Sequence, residues 1–314
     1  AFLYDFAPHF LDDFLRLELP APTRAYLVGA HKGTWEFVDG VMERSISNWQ
    51  GNPETLPGDI VVMYALAPRS ATHSVWRAIS PGFVDPFFHW YDTTWIGRPV
   101  RLAGVPWATI KEDPILSEMP VVKQNMQGVN GRAMTAAQYD RLLELAGKAG
   151  ADLSIVPRLV DLGEPVADDV RCERDVEEKL LEPLLARLGY APKDWRRQVP
   201  LRIGRGERIY PDYVLFAETS KRGEESGDFI WEAKFRITGR RQLEEAFAQA
   251  LSYARHLGAR GLGLVALEGV WVAEEKRGLR FDALAHSTWR DLTGPDAFHE
   301  LRIMAGKNKT GDHS

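Results

Sequence analysis

The chain has 314 residues, 45% of them apolar, 26% charged and 11% aromatic, which is an ordinary globular composition and, at roughly 150 residues per domain, suggests about two domains. Its single cysteine, Cys172, excludes a disulfide framework and any cysteine-rich zinc or iron–sulfur site. The net charge of −5 excludes a uniformly basic binder, yet residues 1–170 carry −7 and residues 171–314 carry +2, and arginines cluster at Trp195-Arg196-Arg197, Arg202 to Arg208 and Arg236 to Arg241.

The first 22 residues are expected to form an amphipathic helix: Phe2, Leu3, Phe6, Phe10, Leu11, Phe14 and Leu15 recur at helical spacing until Pro20 and Pro22 stop it. This start has no basic residues ahead of an apolar core, so it does not read as a signal peptide. No run approaches the ~18 consecutive apolar residues of a membrane-spanning helix. A module at 23–150 reads as mainly β, with strands at Ala25–Val28, Asp59–Ala65, Ser74–Ile79 and Pro99–Leu102. A helix from Thr135 to Lys148, with Thr135 as its N-cap, closes it. Residues 151–170, rich in Pro and Asp, read as the connection between domains. A second domain is expected at 171–300. Its elements are a helix at Glu173–Leu188, strands at Gln198–Ile203, Arg208–Phe216 and Phe229–Phe235, a helix at Gln242–Leu257 and a strand at Gly261–Leu267. That order predicts a mixed sheet flanked by helices. A short helix at Trp289–Leu292 and a tail at 301–314 complete the chain.

The chemistry concentrates in Tyr210-Pro211-Asp212 and Trp231-Glu232-Ala233-Lys234. Asp212 begins one strand, while Glu232 and Lys234 lie two apart on another and so share a face. If the strands pair, two carboxylates and an ammonium converge. Such a hard-oxygen site suits Mg²⁺, with Mn²⁺ as a substitute, and Mg²⁺ accepts phosphate oxygens and acidifies water. Lys234 can orient that water or stabilise the transition state. Asp followed some twenty residues later by Glu-x-Lys on an apolar strand resembles the PD-(D/E)xK nucleases, and more narrowly the N-terminal nuclease region of type I restriction motor subunits. The leading helix resembles that group's first motif, with Glu173 as the metal-binding carboxylate and Glu177, one turn later, as the alternative. Gln249 and Tyr253 match its Gln-x-x-x-Tyr signature and share one helix face at i,i+4. The resemblance implies that Glu173, Asp212 and Glu232 bind metal and that Lys234, Gln249 and Tyr253 complete the catalytic set. Arg236, Arg240 and Arg241 are candidates for the DNA backbone, with a solvated face as the plain alternative.

The order of pieces at 22–150, above all Gly58-Asp59-Ile60-Val61 with Tyr64, resembles the EVE-type branch of the PUA-like fold. Such domains are implicated in holding a modified base flipped out of the duplex. Flipping costs a few kcal/mol and stacking on an aromatic ring returns roughly 1–3 kcal/mol. Trp35, Trp49, Trp90 and Asn125 are the candidate base-binding residues. The fold expected is therefore α/β and α+β in two domains: a PUA-like β-barrel with flanking helices, then a restriction-endonuclease-like mixed sheet. The two resemblances together imply a cytoplasmic prokaryotic endonuclease, dependent on modified bases in double-stranded DNA and used against phage. A homodimer is expected, because one centre cuts one strand. The rival readings are a type II-like enzyme that reads unmodified sequence and a non-catalytic reader of modified nucleic acid.

Overall fold

The computed structural model describes residues 16–40, 46–87, 90–163, 169–203, 207–221, 223 and 225–307. The amphipathic helix expected at 1–22 lies almost wholly outside them. The chain divides into two units at Val160/Asp161, inside the connection expected at 151–170. Both are mixed α/β.

The first unit starts with β1 (Ala25–Ala30), a 3₁₀ turn at Lys32–Thr34, the one-turn helix α1 (Trp35–Asp39) and β2 (Ile46–Gln50). It continues through β3 (Ile60–Ala65), β4 (Ala71–Ala78), β5 (Phe83–Asp85) and β6 (Tyr91–Arg101), then the short helices α2 (Trp107–Glu112) and α3 (Pro120–Lys123). The strand β7 (Arg132–Met134) and the helix α4 (Ala136–Lys148) end it. The sheet runs β2-β6-β4-β3-β1-β7, with β5 also on β6 and only β1 and β3 parallel. All six residues of β3 are buried, because apolar clusters cover both sheet faces. Leu27, Val62 and Val75 face α4, where Tyr139, Leu142 and Leu143 meet them; Val28, Val61, Met63 and Trp76 face the other way. Thr135 caps α4 as expected, in a reciprocal box with Gln138.

The strand expected at Pro99–Leu102 proves to be the end of β6, which begins eight residues earlier. Gly97, Arg98 at φ +51° and a register shift against β4 between Val75 and Arg77 interrupt the alternation that would have revealed it.

The second unit opens with α5 (Glu173–Val176), a π-helical stretch at Glu177–Leu181 and α6 (Glu182–Arg187). The single helix expected here changes its winding just ahead of Pro183, which has no N–H to continue the α ladder. Next come β8 (Trp195–Arg197), β9 (Leu201–Ile203), β10 (Glu207–Ile209) and β11 (Tyr213–Leu215). The strand expected at Arg208–Phe216 is thus two strands, parted at Pro211, which cannot donate to a ladder. The small hairpin β12 (Glu218–Thr219) and β13 (Glu225–Ser226) precedes β14 (Phe229–Ala233), α7 (Arg240–Leu257) and β15 (Gly261–Ala266). β15 is the last strand expected from the sequence, but the sheet goes on. β16 (Gly269–Glu274) and β17 (Ala285–Ser287) extend it to the order β17-β16-β15-β14-β11-β8, with only β14 and β15 parallel.

Gly261 and Gly263 explain part of that sheet. They pair with Phe229 and Trp231, and a Cβ on them would lie 2.3 and 2.2 Å from those rings. Finally α8 (Pro295–Ala305) buries Phe298, Leu301 and Met304 in the core, so the tail expected from residue 301 is helical and packed as far as residue 305. The helix expected at Trp289–Leu292 is a 3₁₀ turn at Asp291–Thr293. Among the described residues, no helix is long and apolar enough to cross a membrane.

Candidate functional site

Antiparallel pairing of β11 with β14 sets Tyr213 opposite Trp231. One step outward along the same register, Asp212 meets Glu232. Tyr213 and Trp231 belong to the core beneath α5 and α6, whereas Val214 and Ile230 face α7. By the two-residue period, Asp212, Glu232 and Lys234 point to the α7 side. Pro211 contributes by ending the ladder, which places Asp212 at its open edge.

The contacts are specific. Ala233 N–H donates to Asp212 Oδ2 at 2.8 Å. Lys234 Nζ donates to Glu232 Oε1 at 2.9 Å, and Gln249 Nε2 donates to the same oxygen at 2.6 Å. Gln249 also donates to the Tyr253 hydroxyl at 3.0 Å, so both helix residues join the cluster. Glu232 is buried to 1% exposure, and its Oε2 has no hydrogen-bond partner. A buried carboxylate oxygen without a donor costs on the order of 1–3 kcal/mol.

Burial, and then the charge of Asp212, push the Glu232 carboxyl up to about 7. Burial likewise pushes Asp212 up to about 6, with the charges of Glu177 and Glu173 working in the same direction and Lys234 and the Ala233 N–H against it. Burial opposes the Lys234 ammonium, but Glu232, Glu173 and Asp212 outweigh it and hold the lysine above its ordinary range. The cluster therefore concentrates negative charge in a poorly hydrated place with one cation to answer it.

The helix carboxylates stand further out. Glu173 Oε1 lies 4.0 Å from Lys234 Nζ and its side chain is half-exposed. Glu177, the alternative, is buried and bonded to Arg197, which also reaches toward Glu182 at 3.6 Å. Among the described residues, no group of three or more His, Cys, Asp or Glu side chains is close enough to hold a metal ion. The three-carboxylate set expected from Glu173, Asp212 and Glu232 is thus not drawn together around a common point; Asp212 and Glu232 are the paired members.

The backbone-binding candidates carry carboxylate partners. Arg240 and Arg241 bond Glu244 and Glu245 one turn on, at 2.7 and 2.9 Å, and Arg236 lies 4.0 Å from Glu268. Sequence reasoning passed over Arg196 as a site residue. It pairs with Val214 on β11 and so shares the face of Asp212; the alternation of Arg196 with the half-buried Trp195 was the available signal.

In the first unit, Trp35 and Trp49 come together at the end of β1. Their indole N–H groups donate to the consecutive carbonyls of Ala30 and Gly29, each at 3.3 Å, and both pack on the cluster of Val28, Met63 and Trp76. Arg69 lies over the Trp35 ring at 4.3 Å and is held by both oxygens of Asp39, at 2.6 and 2.5 Å. Trp90 is 73% exposed, at φ +59°, on the turn between β5 and β6. Asn125, exposed at φ +52°, follows Val121 and Val122, which pack on the opposite sheet face from the two tryptophans. The structure therefore joins Trp35 to Trp49 and does not bring Asn125 to them.

No protein-family model matches this chain, and no curated protein does. It is similar to the NMR structure of Rpa0253 from Rhodopseudomonas palustris, at 18% identity over 40% of this chain and 94% of that one, with a TM-score of 0.35. It is similar also to the crystal structure of Atu2648 from Agrobacterium tumefaciens, at 17% identity over 44% and 99%, with a TM-score of 0.35. Likenesses this distant assign neither an activity nor a ligand.

Proposed function

We propose that the protein is a Mg²⁺-dependent DNA endonuclease whose cutting is conditional on a modified base. The observation that carries this reading is the Asp212–Glu232 pair: a buried carboxylate facing a half-buried one, both with raised proton affinity, the buried one with an orphaned oxygen, beside a charged lysine. Nothing in the fold's stability calls for that arrangement, and a hard divalent cation would relieve it.

Asp212 and Glu232 would hold the cation between them. Bound there, Mg²⁺ supplies positive charge against the scissile phosphate and makes a nearby water more acidic. The chain's own residues do the rest. Lys234 keeps its proton at neutral pH and orients the attacking water or meets the charge that develops on phosphate. Gln249, tied to Tyr253, fixes the carboxylate of Glu232 in one rotamer. The Ala233 N–H does the same for Asp212. A single such centre cuts one strand, so a double-strand break calls for two copies of the chain.

The first unit would read the base, in the manner of the PUA-like resemblance, with Trp35 and Trp49 as the stacking surface. A flipped base costs a few kcal/mol to extrude, and each aromatic stack returns about 1–3 kcal/mol.

The test is digestion of matched plasmids, one carrying modified cytosine or adenine and one without, in Mg²⁺. Cutting of the modified plasmid alone, lost in Asp212→Ala, is the expected result. Equal cutting of both would favour a sequence reader joined to the same nuclease. Binding of modified duplex without any cutting would leave a non-catalytic reader.

A further inference from the structure

Residues 195–210 hold five arginines and one acidic residue, Glu207. Three of the arginines have a placement that the hydrolytic centre does not explain. β9 and β10 form a two-stranded ribbon of their own, outside the six-stranded sheet, and its register sets Arg202 directly opposite Arg208. Like charges facing across an antiparallel pair destabilise it. Both side chains are exposed, and among the described residues neither has an ion-pair or hydrogen-bond partner; the same is true of Arg196 on β8.

The underside of the ribbon is fixed. Leu201 is fully buried in the core beneath α7, and its cross-strand partner Ile209 packs against that core. The period of two then turns Arg202 and Arg208 away from this anchored side. Three residues after Ile209 the chain reaches Asp212. The contrast with the expected candidates is direct, because Arg236, Arg240 and Arg241 already have Glu268, Glu244 and Glu245 beside them.

We propose that Arg202 and Arg208, with Arg196 on the sheet face of Asp212, form a clamp for the phosphodiester backbone of duplex DNA and deliver it to the Asp212–Glu232 centre. The proposal rests on the nuclease reading and adds to it the place where the substrate is held. Phosphate between the two ribbon arginines turns a repulsive cross-strand pair into two charge-assisted contacts.

The experiment is binding of a short labelled duplex by the full chain in EDTA, over a range of salt, for the parent, for Arg202→Ala/Arg208→Ala and for Arg202→Glu. Removing two phosphate contacts should weaken binding about ten-fold or more and lower the salt slope by about 2. Arg202→Glu, which sets opposite charges across the ribbon, should bind more weakly than the alanine variant while melting at a higher temperature than the parent. A ribbon with a purely structural role would not separate binding from stability in this way. Unchanged affinity and slope in the double variant, with the parent still cutting, would overturn the clamp and leave the nuclease standing. A parent that neither binds nor cuts DNA would overturn both.

Discussion

Asp39 in the first unit and Asp212 in the second both have a cation within their field, and their carboxyls move in opposite directions. Arg69 grips both oxygens of Asp39 and holds it down at about 2, with His73 and Arg101 nearby. Burial and neighbouring carboxylates push Asp212 up to about 6 and its partner Glu232 to about 7. In the first group both carboxylate oxygens of Asp39 are taken up by Arg69. The second contains an orphaned oxygen, two facing acids and, a few residues away, two facing arginines. A folded chain keeps such conflicts where a ligand resolves them. Conflict among charged residues, more than their number, marks the place where chemistry is expected.

Removing the conflicted groups should have the largest effect. Asp212→Ala and Lys234→Ala should each lower Mg²⁺-dependent cleavage by about 100- to 1,000-fold, measured as initial nicking rates on supercoiled plasmid. Parental rates in both variants would detach the cluster from the chemistry. The same residues should show the reverse effect on stability. Their folded-state affinity for protons lies above that of the unfolded chain. Stability from this pair is therefore fully present below about pH 4 and is lost as pH rises through about 6 to 7. Melting in EDTA should fall across that window, and Mg²⁺ should restore it on the alkaline side. Glu232→Gln still accepts hydrogen bonds but carries no charge, so it should flatten the profile and gain on the order of 2 kcal/mol near pH 8. An unaltered profile in that variant would mean that Glu232 is ionised without penalty.

Much of the second unit was legible in the sequence because its signals are local. Pro211 ahead of Asp212, Glu232 two residues before Lys234, and Gln249 four before Tyr253 fix side-chain direction through backbone period alone. What was illegible depends on tertiary contact. The pairing of Arg202 with Arg208 follows from where the ribbon turns, and the carboxylate partners of Arg240 and Arg241 were missed because the helix was expected from Gln242, two residues after it begins. β16 and β17 lie past the last strand expected from the sequence, β16 inside the sheet and β17 at its edge. Leu301 and Met304 looked like tail residues because a helix that lies on a core needs only one apolar face. In the first unit the tryptophans were visible, but Asn125 was grouped with them from chain order, and the sheet puts it on the opposite side.

A smaller effect is expected from the tryptophans of the first unit. Trp35→Ala and Trp49→Ala should each reduce the preference for modified over unmodified duplex, by about 1–3 kcal/mol of lost stacking, while plasmid nicking of modified DNA at saturating protein continues. Arg69 covers the Trp35 ring, so Arg69→Ala should leave the ring face open and should not abolish discrimination. Equal discrimination in the parent and in both tryptophan variants would move the reading site elsewhere.

The smallest effect is a control on the independence of the two responses. Thr135 accepts from the Gln138 N–H at 3.2 Å, and Gln138 Oε1 accepts from the Thr135 N–H at 2.9 Å, satisfying two donors at the start of α4. That helix buries Tyr139, Leu142, Leu143 and Ala146 in the core of the first unit and contributes nothing to the core around Asp212. Thr135→Ala should therefore cost about 1 kcal/mol, read as a small drop in melting temperature in calorimetry. The drop should have the same size at pH 5 and pH 8, because no titrating group is involved. Nicking rates should stay at the parental value. A pH-dependent loss, or slower nicking, would mean that the cap of α4 and the carboxylate pair answer to one another, and the separation between the Asp39 group and the Asp212–Glu232 pair would no longer hold.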